Sequence, residues 1–191
     1  MNILPIDELN VFEATLNARY ADGKLTEELL DTTIDEMLDL FLLAYASGVT
    51  AANNDLGTEK KPSRDDADNA VNAEVAGKTW RERVKEWTDK GGTPYDLARI
   101  AETDMTRIYN TAVLDTVKAN GAENTTYKRW VTMQDDRVRE THDYLENMVV
   151  PYDADFYTYD GDRAKAPGMF ALPENNISCR CTVELIKGES L

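Results

Sequence analysis

Histidine is almost absent: the 191 residues hold one, His142, alongside only two cysteines, Cys179 and Cys181. The first scarcity excludes His-rich metal sites and paired-His chemistry. The second excludes a disulfide scaffold. No stretch approaches the roughly 18 consecutive apolar residues of a membrane span, so no membrane partner is expected. Met1 to Asn10 carries acids and no basic run, unlike a secretory signal. Lys and Arg are outnumbered, 21 against 36 acids, for a net charge of −15. That balance argues against nucleic-acid binding, sequence-specific or general, because phosphate neutralisation needs cations. What remains, 42% hydrophobic and 30% charged residues, suits a folded chain with a packed core.

The acidity is uneven. Residues 1–60 hold 12 acids and 3 bases, a net −9; residues 61–125 hold 12 and 10; residues 126–191 hold 12 and 8. The charge either solvates a helical surface or marks a docking face for a basic partner.

The first two-thirds read as helices. Leu9, Phe12, Leu16 and Tyr20 step by three and four up to Gly23. Thr26 reads as an N-cap with Glu27 and Glu28 in the first turn. Leu30, Ile34, Met37/Leu38, Phe41/Leu42 and Tyr45 then form a long amphipathic stripe, with Gly48 expected as its stop. Residues 50–66, with Asn53-Asn54, Gly57, Lys60-Lys61 and Pro62, read as a linker. Asp65 to Ala76 reads as an alanine-rich helix. Thr79 and Glu82 fit a capping box, followed by Trp80, Val84 and Trp87 on one face and by Gly91-Gly92. Thr93-Pro94 opens a further helix, whose stripe of Leu97, Ile100, Met105, Ile108 and Ala112 runs to Asn120-Gly121.

The pattern then changes. Thr126–Met133, Met148–Pro151 and Phe156–Tyr159 are strand candidates, and Asp160–Gly168 is turn-rich. Cys179, Cys181, Val183 and Leu185 alternate with Arg180, Thr182 and Glu184, as on a strand. Helices followed by a small antiparallel sheet define an α+β fold. The expected organisation is an acidic helical docking region over 1–60 and an α+β core over 61–191.

Three constellations carry chemistry. Asp135-Asp136-Arg137-Val138-Arg139-Glu140-Thr141-His142 gathers acids, two arginines and the one histidine. Its guanidiniums suit bidentate carboxylate pairing and His142 suits general-base work; a salt-bridged turn with a satisfied histidine is the plainer reading. Cys179 and Cys181 at i and i+2 of a strand would share a face and chelate a soft metal such as zinc with His142. Asp135, Asp143 or water would be the fourth ligand; two buried core cysteines are the plainer reading. The third constellation, Ile100-Ala101-Glu102-Thr103-Asp104 through Asn110, reads by itself as a helix with one apolar and one polar face.

Taken in order, these residues resemble the phage head-morphogenesis family typified by Mu protein F-like minor capsid proteins. That pattern has an Ile-Ala-Arg-Thr-Glu helix with a later Asn, a Lys-x-Trp strand, Asp-x-Arg-x-Arg-x-x-His, a Pro/Gly loop and Asn-Cys-Arg-Cys. The matches are Ile100, Ala101, Thr103, Asn110, Lys128 or Arg129 with Trp130, Asp135, Arg137, Arg139, His142, Leu145, Pro167-Gly168 and Cys179-Arg180-Cys181. They span about residues 95–186. The departures are Glu102 for Arg, Asp104 for Glu, Glu146 for Gly and Ser178 for Asn; Gly23-Lys24 between helices is a likeness in style. The resemblance implies a structural protein of the virion, in the head interior or portal region, and of the host cytoplasm during assembly. It implies association with the portal protein and other capsid or scaffold proteins. Leu30, Ile34, Leu38, Phe41, Leu42 and Tyr45 are then the expected docking stripe, and the Asp–Arg–Arg–His turn and Cys pair hold loops together. No catalytic residue and no cofactor are expected, zinc being the one metal the Cys pair and His142 would suit. The alternative is a metal-dependent hydrolase or nuclease-like toxin centred on His142.

Overall fold

A computed structural model describes residues 4–20, 26–75 and 77–188. Gly23, Lys24 and the start of Met1–Asn10 lie outside the described residues. The order is α1 (Ile6–Arg19), α2 (Glu27–Leu56), α3 (Arg64–Asn72), α4 (Trp80–Asp89), α5 (Pro94–Asn120), β1 (Thr126–Val131), α6 (Glu140–Asp143), β2 (Val149–Pro151), β3 (Phe156–Tyr157), β4 (Arg163–Ala164) and β5 (Thr182–Lys187). The fold is α+β, as expected. None of its described helices is long and apolar enough to cross a membrane.

Local chemistry sets most boundaries. Thr26 caps α2 by accepting from the Leu29 amide, and Ser63/Asp66, Thr79/Glu82 and Thr93/Asp96 form complete capping boxes on α3, α4 and α5. Each box satisfies amides that a helix start leaves without partners. Gly57 and Gly121 end α2 and α5 in the left-handed conformation, which glycine adopts without a Cβ clash.

Two expectations fail at α2. The helix does not stop at Gly48 but runs on to Leu56, so the first seven residues of the expected linker are helical. Gly48 is there because α2 crosses α5 at that point. A Cβ on it would lie 2.3 Å from the Tyr109 carbonyl oxygen and 2.9 Å from the Ala112 Cβ. The expected docking stripe is this same inward face. Phe41 and Tyr45 are buried, Leu30, Ile34 and Leu38 pack against the core, and of the six only Leu42 is exposed. Helical periodicity reports a face that needs cover, and this face finds its cover within the chain.

Residues on both sides of position 60 enter one hydrophobic cluster, from Leu9, Phe12 and Leu16 through Met37 and Phe41 to Trp80, Met105 and Ile108. Arg19 of α1 donates bidentately to Glu36 of α2 at 2.7 Å. The Phe41 and Trp80 rings meet edge to face. Tyr45 donates to Asp115, and the Leu185 amide donates to Asp55 at 2.9 Å, tying the end of α2 to β5.

The main sheet has the antiparallel order β2-β1-β5, with Lys128 opposite Leu185 and Trp130 opposite Val183. A separate two-stranded ribbon pairs β3 with β4. Thr126, Lys128 and Trp130 alternate inward along β1. Lys128 is fully buried, and its ammonium donates to the carbonyls of Ala154 and Lys165. Burial pushes its pKa down to about 8, with Lys165 adding to the effect.

Candidate functional site

The site is built on the polar side of α5. Thr103, Thr106 and Asn110 recur at i, i+3 and i+7, one face of a helix. The Ser178 amide donates to the Thr103 hydroxyl at 3.1 Å, and the Thr106 hydroxyl donates to the Cys179 carbonyl at 2.5 Å. Asn110 donates to the Cys181 carbonyl at 3.1 Å and the Pro167 carbonyl at 3.3 Å, and accepts from the Val183 amide at 3.0 Å. Three side chains thus lay residues 178–183 along the helix. Gly168, at φ 83°, lets the Pro167-Gly168 loop join them, since a Cβ there would lie 2.9 Å from the Arg107 Cα.

Cys179 and Cys181 were expected to alternate on a strand, but β5 begins only at Thr182 and they precede it. The clamp from α5 takes the place of a strand partner, and both thiols still face the same way. His142 comes to them from α6, behind the turn that opens with Asp135. Its Nδ1 lies 3.6 Å from each Sγ, and all three side chains are buried. The ring stacks on Phe170 and meets Trp130 edge to face, and Nε2 has no hydrogen-bond partner among the described residues. The neighbouring Cys181 thiol and His142 hold the Cys179 thiol low against the effect of burial, whereas Cys179 and burial push Cys181 up. A cavity of about 10 Å³ adjoins the three, bordered by Met133, Val138 and Arg139.

Charged groups close the outside. Arg180 clamps Asp135 with two 2.8 Å bonds, and the hydrogen bond from Arg180 holds the Asp135 carboxyl below its usual range. Arg137 pairs with Glu102 at 3.1 Å, and Arg180 Nε reaches Glu102 at 3.7 Å. Arg139 donates to the Ile177 carbonyl at 2.6 Å. The guanidiniums of Arg137 and Arg139 thus leave the Asp135 carboxylate to Arg180, while the Arg137 backbone amide donates to it at 3.1 Å. Asp135 is spent on Arg180, and Asp143 is exposed, so neither of the two expected carboxylates supplies a fourth ligand.

The departures from the family pattern have local reasons. Glu102 sits between Arg137 and Arg180, where an arginine would add a third positive charge. Asp104 is buried and takes two bonds from Arg83 and two from Arg107. Glu146 accepts from the Thr132 amide and the Gln134 amide group, closing the end of β1. Ser178 has φ 54°, a conformation in which asparagine is far more at ease than serine.

Two organising residues escaped the sequence reading. Lys128 looked like half of a Lys-x-Trp motif, and only its place on the inward β1 face hinted at burial. Asp162 sat in the turn-rich loop without distinction. Its carboxylate accepts from the amides of Arg163, Ala171 and Leu172 and from Asn175 Nδ2. Burial pushes its pKa up, but the bonds from Asn175 and these amides outweigh it and hold the carboxyl below its usual value.

The chain is 29% identical over 154 residues to an NAD(+)--arginine ADP-ribosyltransferase, EFV, of Enterococcus faecalis (strain ATCC 700802 / V583). The match covers 64% of this chain and spans about a third (31%) of that relative. No solved structure matches. The family described as phage Mu protein F like matches residues 66–184. That stretch holds the α5 clamp, the Trp130 strand, the Asp135–His142 turn and the Cys-Arg-Cys segment, and on it the chain belongs to the phage Mu protein F-like family.

Proposed function

We propose that the chain is a minor head component of a phage, acting in head morphogenesis through association with the portal and the assembling procapsid. Its place is then the virion head or portal region, and the host cytoplasm during assembly. Family membership over residues 66–184 carries this reading. The geometry of the motif residues supports it. Asp135, Arg139, Arg180 and Asn110 are spent on other protein groups, and His142 is buried beside a space of about 10 Å³. That space holds about one water, which favours the structural reading over a nuclease or hydrolase reaction centred on His142.

The docking surface moves from the buried stripe of α2 to the groove between α1 and α2. Val11, Phe12, Leu40 and Leu43 line a hollow of about 290 Å³, with the carboxylates of Glu8 and Asp39 beside them and Glu36 there already paired with Arg19. Apolar floor and acidic rim suit an apolar-and-basic helix of a portal subunit. The test is co-expression with the portal protein encoded by the same phage. Co-purification is expected, with loss on Val11→Asp/Leu43→Asp; failure to co-purify, together with absence of the chain from purified virions, overturns the reading.

The similarity to the ADP-ribosyltransferase supplies a second, enzymatic reading. It is tested by incubating the chain with NAD and an arginine-bearing acceptor. No transfer and no NAD consumption are expected; turnover abolished by a point substitution in the chain would replace the structural reading.

A further inference from the structure

We propose that Cys179, Cys181 and His142 Nδ1 form a structural site for one soft divalent cation, zinc foremost. The ligand atoms all lie within 4.8 Å of one another, and all three residues are buried. The two nitrogen–sulfur distances carry the argument, because they are equal at 3.6 Å. An imidazole nitrogen has one in-plane lone pair and accepts one good hydrogen bond, so two thiols equidistant from it are not both its donors. Around a tetrahedral zinc, with Zn–S about 2.3 Å and Zn–N about 2.0 Å, adjacent nitrogen and sulfur ligands stand about 3.5 Å apart. The observed spacing is that of two edges of such a tetrahedron.

Charge and support point the same way. Two thiolates and a neutral imidazole cancel the charge of a divalent cation, the form in which buried ions are tolerated. Binding transfers the two thiol protons to solvent. The Cys179 and Cys181 backbones are fixed by Thr106 and Asn110, which preorganises the pair. The adjoining cavity, about 10 Å³, admits one water-sized fourth ligand. Three protein ligands and a water are also the complement of catalytic zinc sites, but the adjoining space is the size of that water alone.

The proposal is independent of any portal contact and is tested on the isolated full chain. Elemental analysis of reduced, purified protein is expected to give one zinc per chain. After chelation, titration with cobalt(II) alone is expected to yield intense tetrahedral d–d bands and thiolate-to-cobalt charge transfer. Cys181→Ser and His142→Ala are expected to lose both. If these variants fold poorly, the cobalt spectrum of the unaltered chain and a rise in its Tm on adding zinc decide the matter alone. Folded chain with two free thiols, no bound metal and no cobalt spectrum overturns the site. So does a chain isolated with Cys179 and Cys181 oxidised to each other that takes up no metal after reduction.

Discussion

The α2–α5 helix pair and the loop-rich unit from residue 126 onward are stabilised in opposite ways. On the helices, cover is apolar and long: Met37, Phe41, Ala44 and Ala52 of α2 and Met105, Ile108, Ala112 and Val117 of α5 are completely buried. In the second unit the strands are two to six residues long, and the loops hang on single polar side chains. Lys128 holds two carbonyls, Asp162 three amides and a carboxamide, and Asn176 both the amide and the carbonyl of Phe170. An apolar seam spreads its stability over many contacts, so the loss of one is graded. A polar clamp concentrates it, because removing one partner leaves buried groups unpaired at about 1–3 kcal/mol each.

Four substitutions would break or sharpen this contrast. Gly48→Leu attacks a place where the apolar seam has no slack, and about 4 kcal/mol of destabilisation is expected, read by urea denaturation. Smaller effects there would mean that the helices do not cross so closely. Asn110→Ala should cost about 3 kcal/mol by orphaning the Cys181 carbonyl and the Val183 amide together. It should also expose the Cys179–Cys181 segment to hydrogen exchange while α2 amides stay protected; equal loss in both regions would refute the contrast.

Asp162→Asn comes next, at about 1–2 kcal/mol near neutral pH. Its carboxyl titrates lower in the folded chain than in the unfolded one, so the unfolded chain takes up the proton first. The stabilisation is therefore complete above the ordinary carboxylate pKa near ~4 and is lost as pH falls through the folded value. Stability measured between neutral and acid pH should fall less steeply in the variant than in the parent. The smallest effect is a gain: Ser178→Asn should stabilise by about 0.5 kcal/mol by easing the left-handed conformation, seen as a rise in Tm.

Legibility followed the same division. The capping box at Thr79, the Pro94 start and the Gly121 end were readable because they rest on residues only a few positions apart, whereas the second box, Thr93 with Asp96, was not read. The strands at 126, 149 and 156 were found within two residues of their starts because β-prone residues and flanking turn signals mark them locally. Gly48 misled because a glycine that stops a helix and one that admits a neighbouring helix are identical in sequence. The stripe from Leu30 to Tyr45 announced a covered face but not what covers it. Asp135 was adjacent to Arg137, yet its guanidinium partner is Arg180, 45 residues away; sequence proximity does not choose among cations of equal chemistry.

By itself, then, the sequence determined the helices and their caps, the α+β order, the uneven acidity and, through an ordered series of residues, the family. Only the tertiary structure brought His142 to Cys179 and Cys181, turned Glu102 into the neutraliser of two arginines, and buried the stripe expected to dock. The physical reason is range. Caps and periodicity are settled by neighbours along the chain, whereas the thiol–imidazole cluster and the Asn110 clamp join residues 37 to 73 positions apart, contacts that exist only once the loops have closed on α5.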